Sequence, residues 1–231
     1  MLTDRQIKLI VGSLLHDIGK VVYRSGDGRN HSASGCDYLK NDAKITDQEI
    51  LHCVRYHHGK YLSNADIKED DLAYITYFAD NVAAFTDRRK ADASEGGFDK
   101  RIPLDSVFNI LNGNNKKCHY AMQVLDPTKE INYPTEDAVV MDEHFYKEIV
   151  QNITDNLRGI SLNEEYVNSL LTVMEANLTY IPSSTSKKEL ADISLFDHVK
   201  VTAAISSCVE QYLSEQKIGD YKSILFANAK A

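Results

Sequence analysis

The chain has 231 residues, 43% of them hydrophobic, which is enough for one large or two small globular domains with a real core. Its net charge of −8 excludes a broad cationic platform for nucleic acid, because such surfaces work by neutralising phosphates with clustered Lys and Arg. There is no apolar run of about 18 residues and no basic-then-apolar leader, so no membrane span and no export are expected; Cys36, Cys53, Cys118 and Cys208 are scattered, as reduced thiols in a cytoplasm would be.

Thr3-Asp4-Arg5-Gln6 has capping-box spacing, and Ile7, Ile10, Val11, Leu14, Leu15 and Ile18 keep the helical rhythm until Gly19. His16-Asp17 thus falls in the last turn of a predicted helix. Residues 24–30 read as a loop, followed by a short helix from His31 toward Leu39. A second capping box, Thr46-Asp47-Gln48-Glu49, opens a helix carrying Ile50, Leu51 and Val54, and Gly59 stops it just after His57-His58. A fourth helix is predicted over roughly 70–87, with Leu72, Ile75, Ala79, Val82 and Ala83 inward and Asp80 beside that stripe.

Beyond Arg88 the chain is charged and Gly-bearing; Pro103 to Leu111 predicts a short helix, and the weak alternation of 117–134 around Asp126-Pro127 predicts a small β-hairpin. Helical spacing resumes over 141–158 and 163–180. After the polar loop Ile181-Pro182-Ser183-Ser184-Thr185-Ser186, a long helix begins near Ser194 and carries Leu195, Val199, Thr202, Ile205, Val209 and Leu213. The expected division is 1–90 as a helical core with most candidate ligands, 91–191 as a helical region with the hairpin, and 192–231 as a final helix and tail that complete the core.

Taken singly, each histidine has an ordinary explanation. One at a helix C-terminus complements the dipole or donates to a free carbonyl, and His198, on the apolar stripe beside Thr202, can be a core histidine. Asp197 can close its own helix as the last residue of Ser194-Leu195-Phe196-Asp197. His52, His119 and His144 have no partner in spacing and read as surface or packing residues. Jointly, His16, Asp17, His31, His57, His58, Asp80 and His198 point to a metal site, since imidazole and carboxylate suit intermediate divalent ions and an inward Asp80 needs a cation or a buried Arg to meet it.

His16-Asp17, His31-Ser32, His57-His58 and Ala79-Asp80 resemble the successive ligand motifs of the HD superfamily of metal-dependent phosphohydrolases. That family opens with a histidine before the His-Asp pair, and nothing before Leu14 supplies one. Leu195-Phe196-Asp197-His198-Val199-Lys200 resembles that first motif moved to the other end of the chain, a permutation that neighbouring termini permit. The permuted order resembles the N-terminal region of the large signature subunit of type III-A CRISPR interference complexes. So do Ala79-Asp80-Asn81, Asp87-Arg88-Arg89, Pro103-Leu104, Ile181-Pro182-Ser183-Ser184-Thr185 and Asp192-Ile193-Ser194.

The resemblance implies a mainly α, circularly permuted HD helical bundle that cuts single-stranded DNA within a complex of other subunits and a guide RNA. It implies one or two transition-metal ions, Mn, Ni or Co. His16, Asp17, Asp80 and His198 would hold one, and Asp17 would bridge to a second held by His31, His57 and His58. His198 and His16 would then come within shared coordination reach. Lys20 is placed to meet charge building on the phosphate, or equally to serve as a helix-end cation; Arg88 and Arg89 read more simply as a solvated turn than as a guide for the strand. The family's subunit continues into palm-like domains, one with a Gly-Gly-Asp-Asp loop. Here the only Gly-Gly, Gly96-Gly97, is followed by Phe98-Asp99, so a fragment or short form without that activity is expected. An HD-type nucleotide phosphohydrolase and a non-catalytic docking domain of the effector complex are the competing readings.

Overall fold

Helix α1 (Asp4–Leu15) begins at the anticipated box: the Thr3 hydroxyl accepts from the Gln6 N–H at 3.2 Å and the Gln6 side chain accepts from the Thr3 N–H at 3.0 Å. The computed structural model describes residues 2–87, 96–111, 117–130, 133–137, 143–159 and 161–227. The expected end of this helix needs correction. It stops at Leu15, residues 16–18 form a turn, and Gly19 opens a second helix, α2 (Gly19–Arg24), rather than ending the first. The reason is a close approach. A Cβ on Gly19 would stand 1.8 Å from the His31 carbonyl oxygen and 2.8 Å from the Gly35 nitrogen, so only glycine lets α2 press on α3 (His31–Asn41).

The next helix, α4 (Gln48–Tyr56), is capped by Asp47, whose carboxylate accepts from the Glu49 and Ile50 N–H groups, and not by Thr46 as expected. It crosses α1 at another glycine, since a Cβ on Gly12 would lie 2.8 Å from both Cβ and Sγ of Cys53. A single turn, α5 (Gly59–Leu62), precedes α6 (Leu72–Asp87), whose Leu72, Ile75, Ala79 and Ala83 are buried. Val82 is 40% exposed and does not belong to the inward stripe. Arg88 and Arg89 lie outside the described residues.

The predicted helix over 103–111 survives only as α7 (Phe108–Leu111). Upstream of it the backbone is engaged across the chain, with Asp105 N–H on the Ala191 carbonyl and Ser106 N–H on the Cys118 carbonyl, so those donors are not available for helical bonds. Over 117–137 the described residues show isolated antiparallel bridges from His119 to Asp105 and to Thr135; residues 131–132 of the expected hairpin lie outside them. Then follow α8 (Glu143–Leu157), α9 (Glu164–Leu178), capped by Asn163, and α10 (Leu195–Glu215), capped by Ser194 as expected. A π-helical turn covers Lys222–Ala227.

Two apolar cores share the bundle. Leu14, Leu15, Val54, Ile149, Leu170 and Val199 join α1, α4, α8, α9 and α10, while Leu9, Cys53, Ile75, Leu213 and Phe226 join the other side of α1 and α4 to α6 and the C-terminal segment. Helix α10 packs against both α1 and α6. At that junction the buried Ser13 hydroxyl donates to Ser206 at 2.9 Å and lies 3.1 Å from the Thr76 hydroxyl, so the three helices share a satisfied polar contact. No helix among the described residues is long and apolar enough to cross a membrane.

Candidate metal centre

His16 caps the end of α1, and its Nδ1–H donates to the carbonyl of Ser13, three residues back, at 2.7 Å. His57 ends α4 in the same way, its Nδ1–H donating to Val54 O at 2.7 Å. The free carbonyls of a helix's last turn thus fix both tautomers and leave each Nε2 aimed at the space between the helices. The ordinary explanation for a helix-end histidine and the metal-ligand explanation are therefore one arrangement, because the backbone bond is what orients a ligand nitrogen.

The seven residues meet in two groups. In the first, His16, Asp17, Asp80 and His198 are all buried, with ligand atoms within 4.8 Å of one another. His198 Nε2 lies 3.3 Å from Asp17 Oδ2 and 3.2 Å from Asp80 Oδ1; His16 Nε2 lies 3.4 and 3.6 Å from the same two oxygens. In the second, His31, His57 and His58 converge, with His31 Nε2 at 2.7 Å from His58 Nε2 and 3.3 Å from His57 Nε2. Asp17 joins the groups, because its other oxygen, Oδ1, is 3.4 Å from His31 Nε2 and 3.6 Å from His57 Nε2. His52, His119 and His144 stand elsewhere, paired with Asp71, Asp105 and Glu148. Asp197, outside both groups, accepts from the Ser194 hydroxyl at the start of α10.

Burial dominates the protonation of the second group. It pushes His57 well below the ordinary imidazole range and His31 down to about 4, and it lowers His58 as well. For His16 burial works in the same direction, but the carboxylates of Asp17 and Asp80 outweigh it and raise the imidazole to about 9. Burial would raise both carboxyls; Lys20, His16 and His198 hold Asp17 well below the carboxylate range, and His16 and His198 do the same for Asp80. Among the described residues, His16 Nε2 and Asp17 Oδ1 are buried with no hydrogen bond. Two orphaned buried ligand atoms, in a set of imidazole nitrogens and carboxylate oxygens, fit divalent metal ions of intermediate softness.

A cavity of about 620 Å³ opens on this cluster and reaches Asp17, His31, His58, Asp80 and His198. Its opposite wall is the loop at 182–186, which the sequence marks as a polar connection and as part of the family resemblance, but with no place in the site. Lys20 Nζ binds Asp17 Oδ2 at 2.6 Å and the Ser183 carbonyl at 2.9 Å, while both terminal nitrogens of the buried Arg24 donate to the Pro182 carbonyl at 3.0 Å. Helix α2 thus straps this loop beside the ligands. Arg24 and the paired glycines Gly19 and Gly35 escaped the sequence reading. The available signal was a Gly four residues after Leu15 and another four after His31, a spacing that permits close helix contact but is common without it.

The HD domain family matches residues 2–84, which contain every candidate ligand except His198. The chain is 37% identical over 97% of its length to the "CRISPR system single-strand-specific deoxyribonuclease Cas10/Csm1 (subtype III-A)" of Enterococcus italicus. Against the same protein of Mycobacterium tuberculosis it is 36% identical over 95% of its length. It spans about a third of these relatives, 31% and 30% of their lengths. Among solved structures it resembles Csm1 of T. onnurineus, with a TM-score of 0.66 at 27% identity over 90% of this chain and 28% of that one. It also resembles a Csm1–Csm4 subcomplex of the type III-A CRISPR-Csm interference complex, with a TM-score of 0.64 at 28% identity over 89% of this chain and 28% of the other. Residues 2–84 thus match the HD domain, and the similarity to Cas10/Csm1 of subtype III-A runs over nearly the whole of this chain.

Proposed function

We propose that this chain is a metal-dependent phosphodiesterase that hydrolyses single-stranded DNA, acting in the cytoplasm as part of a type III-A CRISPR effector complex with other subunits and a guide RNA. The observation that carries the reading is Asp17, a buried carboxylate with one oxygen turned to His16 and His198 and the other to His31 and His57. His16, Asp17, Asp80 and His198 would hold one ion, and Asp17 with His31, His57 and His58 a second, with Mn, Ni or Co as the natural candidates for this donor set. Such ions lower the pKa of bound water and withdraw charge from phosphate oxygens.

The protein's own groups do the rest. Ser13 and Val54 carbonyls keep the His16 and His57 rings in register, so no reorganisation is needed when a phosphate arrives. Lys20, held at the cavity wall against Asp17 and Ser183, is positioned to meet negative charge on the scissile phosphate. The similarity to relatives that are single-strand-specific deoxyribonucleases supports the choice of substrate.

Cleavage of end-labelled single-stranded and duplex DNA with added Mn, Ni or Co tests this. Single strands should be cut faster, and Asp17→Asn should lower the rate by roughly 100-fold or more, since even the outer partners of metal ligands are commonly worth 10–100-fold. Equal rates on both substrates, or an Asp17→Asn variant as active as the parent, would overturn the reading. Hydrolysis of free nucleotides with no action on DNA would favour a nucleotide phosphohydrolase, and metal binding with no hydrolysis at all a docking role.

A further inference from the structure

Phe98 is 76% exposed although it sits at the mouth of the cavity that holds the candidate ligands. It also lines a second cavity of about 410 Å³, bordered by Lys100 and Arg101 together with Asp99 and Glu143, and so stands as the partition between the two. A lone exposed aromatic on a surface needs no explanation. This one stands on backbone that is tied down on both sides: Phe98 bridges Ser186, Asp99 N–H donates to the Thr185 carbonyl at 3.0 Å, and Lys187 N–H donates to the Gly97 carbonyl at 2.9 Å.

The loop it is tied to is the one that Lys20 and Arg24 strap to α2. The Phe98 backbone is therefore held in register with Asp17 through a continuous set of hydrogen bonds, while its ring is given to solvent. Keeping a large apolar ring in water at the edge of this cavity forgoes the burial that an occupant stacked on it would supply.

The charge balance indicates what that occupant is. A chain of net charge −8 cannot hold a nucleic acid strand by phosphate neutralisation away from its metal ions. Among the described residues, several cations near the cavity are already engaged: Lys20 on Asp17, Arg24 on Pro182, Arg29 on Asp27 and Asp37, Lys100 on the Tyr23 carbonyl and over the Tyr23 ring, and Arg101 on Asp99. Stacking is a further source of strand affinity that this acidic chain can draw on, and a base offers a ring face only when it is unpaired. We propose that Phe98 is a base-stacking platform, taking the nucleobase next to the phosphate at the candidate metal centre and thereby selecting single strands. This rests on the reading of that centre as one that acts on a DNA strand.

Binding separates the two claims. The affinity of the metal-loaded chain for a fluorescein-labelled oligodeoxythymidylate is read by anisotropy, for the parent, Phe98→Ala and Phe98→Trp. The same strand carrying one abasic nucleotide, moved along its length, is the second probe. Phe98→Ala should weaken binding roughly 10-fold and Phe98→Trp should restore it, in line with the usual worth of base–aromatic stacking. One abasic position should weaken parent binding to a similar degree and have no further effect in Phe98→Ala.

Unchanged affinity in Phe98→Ala, failure of Trp to restore it, or an abasic effect that persists in Phe98→Ala would overturn the proposal. So would a parent that does not bind the strand, or a Phe98 that proves to be covered by a partner protein. If the parent binds with this coupling but cuts no DNA, the catalytic reading fails and the stacking site stands.

Discussion

Asp17 and His16 carry opposite burdens in a space that excludes water. The carboxylate is stabilised as an anion by Lys20, by His16 and by a hydrogen bond from His198, while the His16 imidazole is held as a cation by two carboxylates against the pull of burial. A metal ion at His16 must therefore displace a proton, whereas His31 and His57, pushed down by burial, already present neutral nitrogens near pH 7. The sign follows: since the His16 pKa is raised, protons compete with metal below about pH 9 and affinity increases with pH up to that value. Calorimetric titration with Mn in two buffers of different ionisation enthalpy should show about one proton released at pH 7 for the His16 group. Affinity there should rise about tenfold per pH unit between 6 and 8, and the His31 group should show little change.

Helix ends and helix crossings set the site at the next scale. Two helices finish on a histidine whose Nδ1–H returns to its own last turn, and two crossings use glycine to bring those ends together. At the α2–α3 crossing the clash from an added methyl group would be with backbone, which cannot rotate aside as a flexible side chain does. Gly19→Ala should consequently force α2 away from α3, destabilising the protein by about 2–3 kcal/mol as measured by denaturant unfolding. It should also impair metal binding at His31, whose carbonyl is the atom displaced. Gly35→Ala meets the same surface at 3.0 Å or more and should be milder.

At the scale of the whole molecule, the site is closed by a helix from the far end of the chain. Helix α10 brings His198 to Asp17 and Asp80 while its own seat on α1 and α6 is made by Leu195, Val199 and Ser206, with Leu213 in the second core. The anchoring residues and the ligand are distinct, so the ligand can be removed without removing the seat. His198→Ala should abolish most metal binding at the His16 group, read by elemental analysis of the purified protein, while far-UV circular dichroism keeps the parent's helical content. The His31 group should retain its ion, because its candidate ligand atoms, His31, His57 and His58 with Asp17 Oδ1, form a set that does not include His198.

Much of this was legible along the chain because it depends on local rules. The capping residues Thr3 and Ser194, the apolar rhythm of α1 and α10, and the arrival of His16 and His57 at helix ends follow from hydrogen-bonding needs and 3.6-residue periodicity within a few turns. Residue chemistry alone also set the kind of site, since imidazole and carboxylate limit the metals that fit. Tertiary structure decided what depends on partners distant in sequence. Gly19 looked like a stop and is a contact surface, because its role lies in the His31 carbonyl and not in its own φ. Pro103 to Ser106 looked helical, but the N–H groups of Asp105 and Ser106 are taken by the carbonyls of Ala191 and Cys118. The pairing of His198 with Asp17, the two-sided use of Asp17, and the strapping of residues 182–186 by Lys20 and Arg24 are likewise non-local, for periodicity shows which face a residue occupies but not which other face it meets.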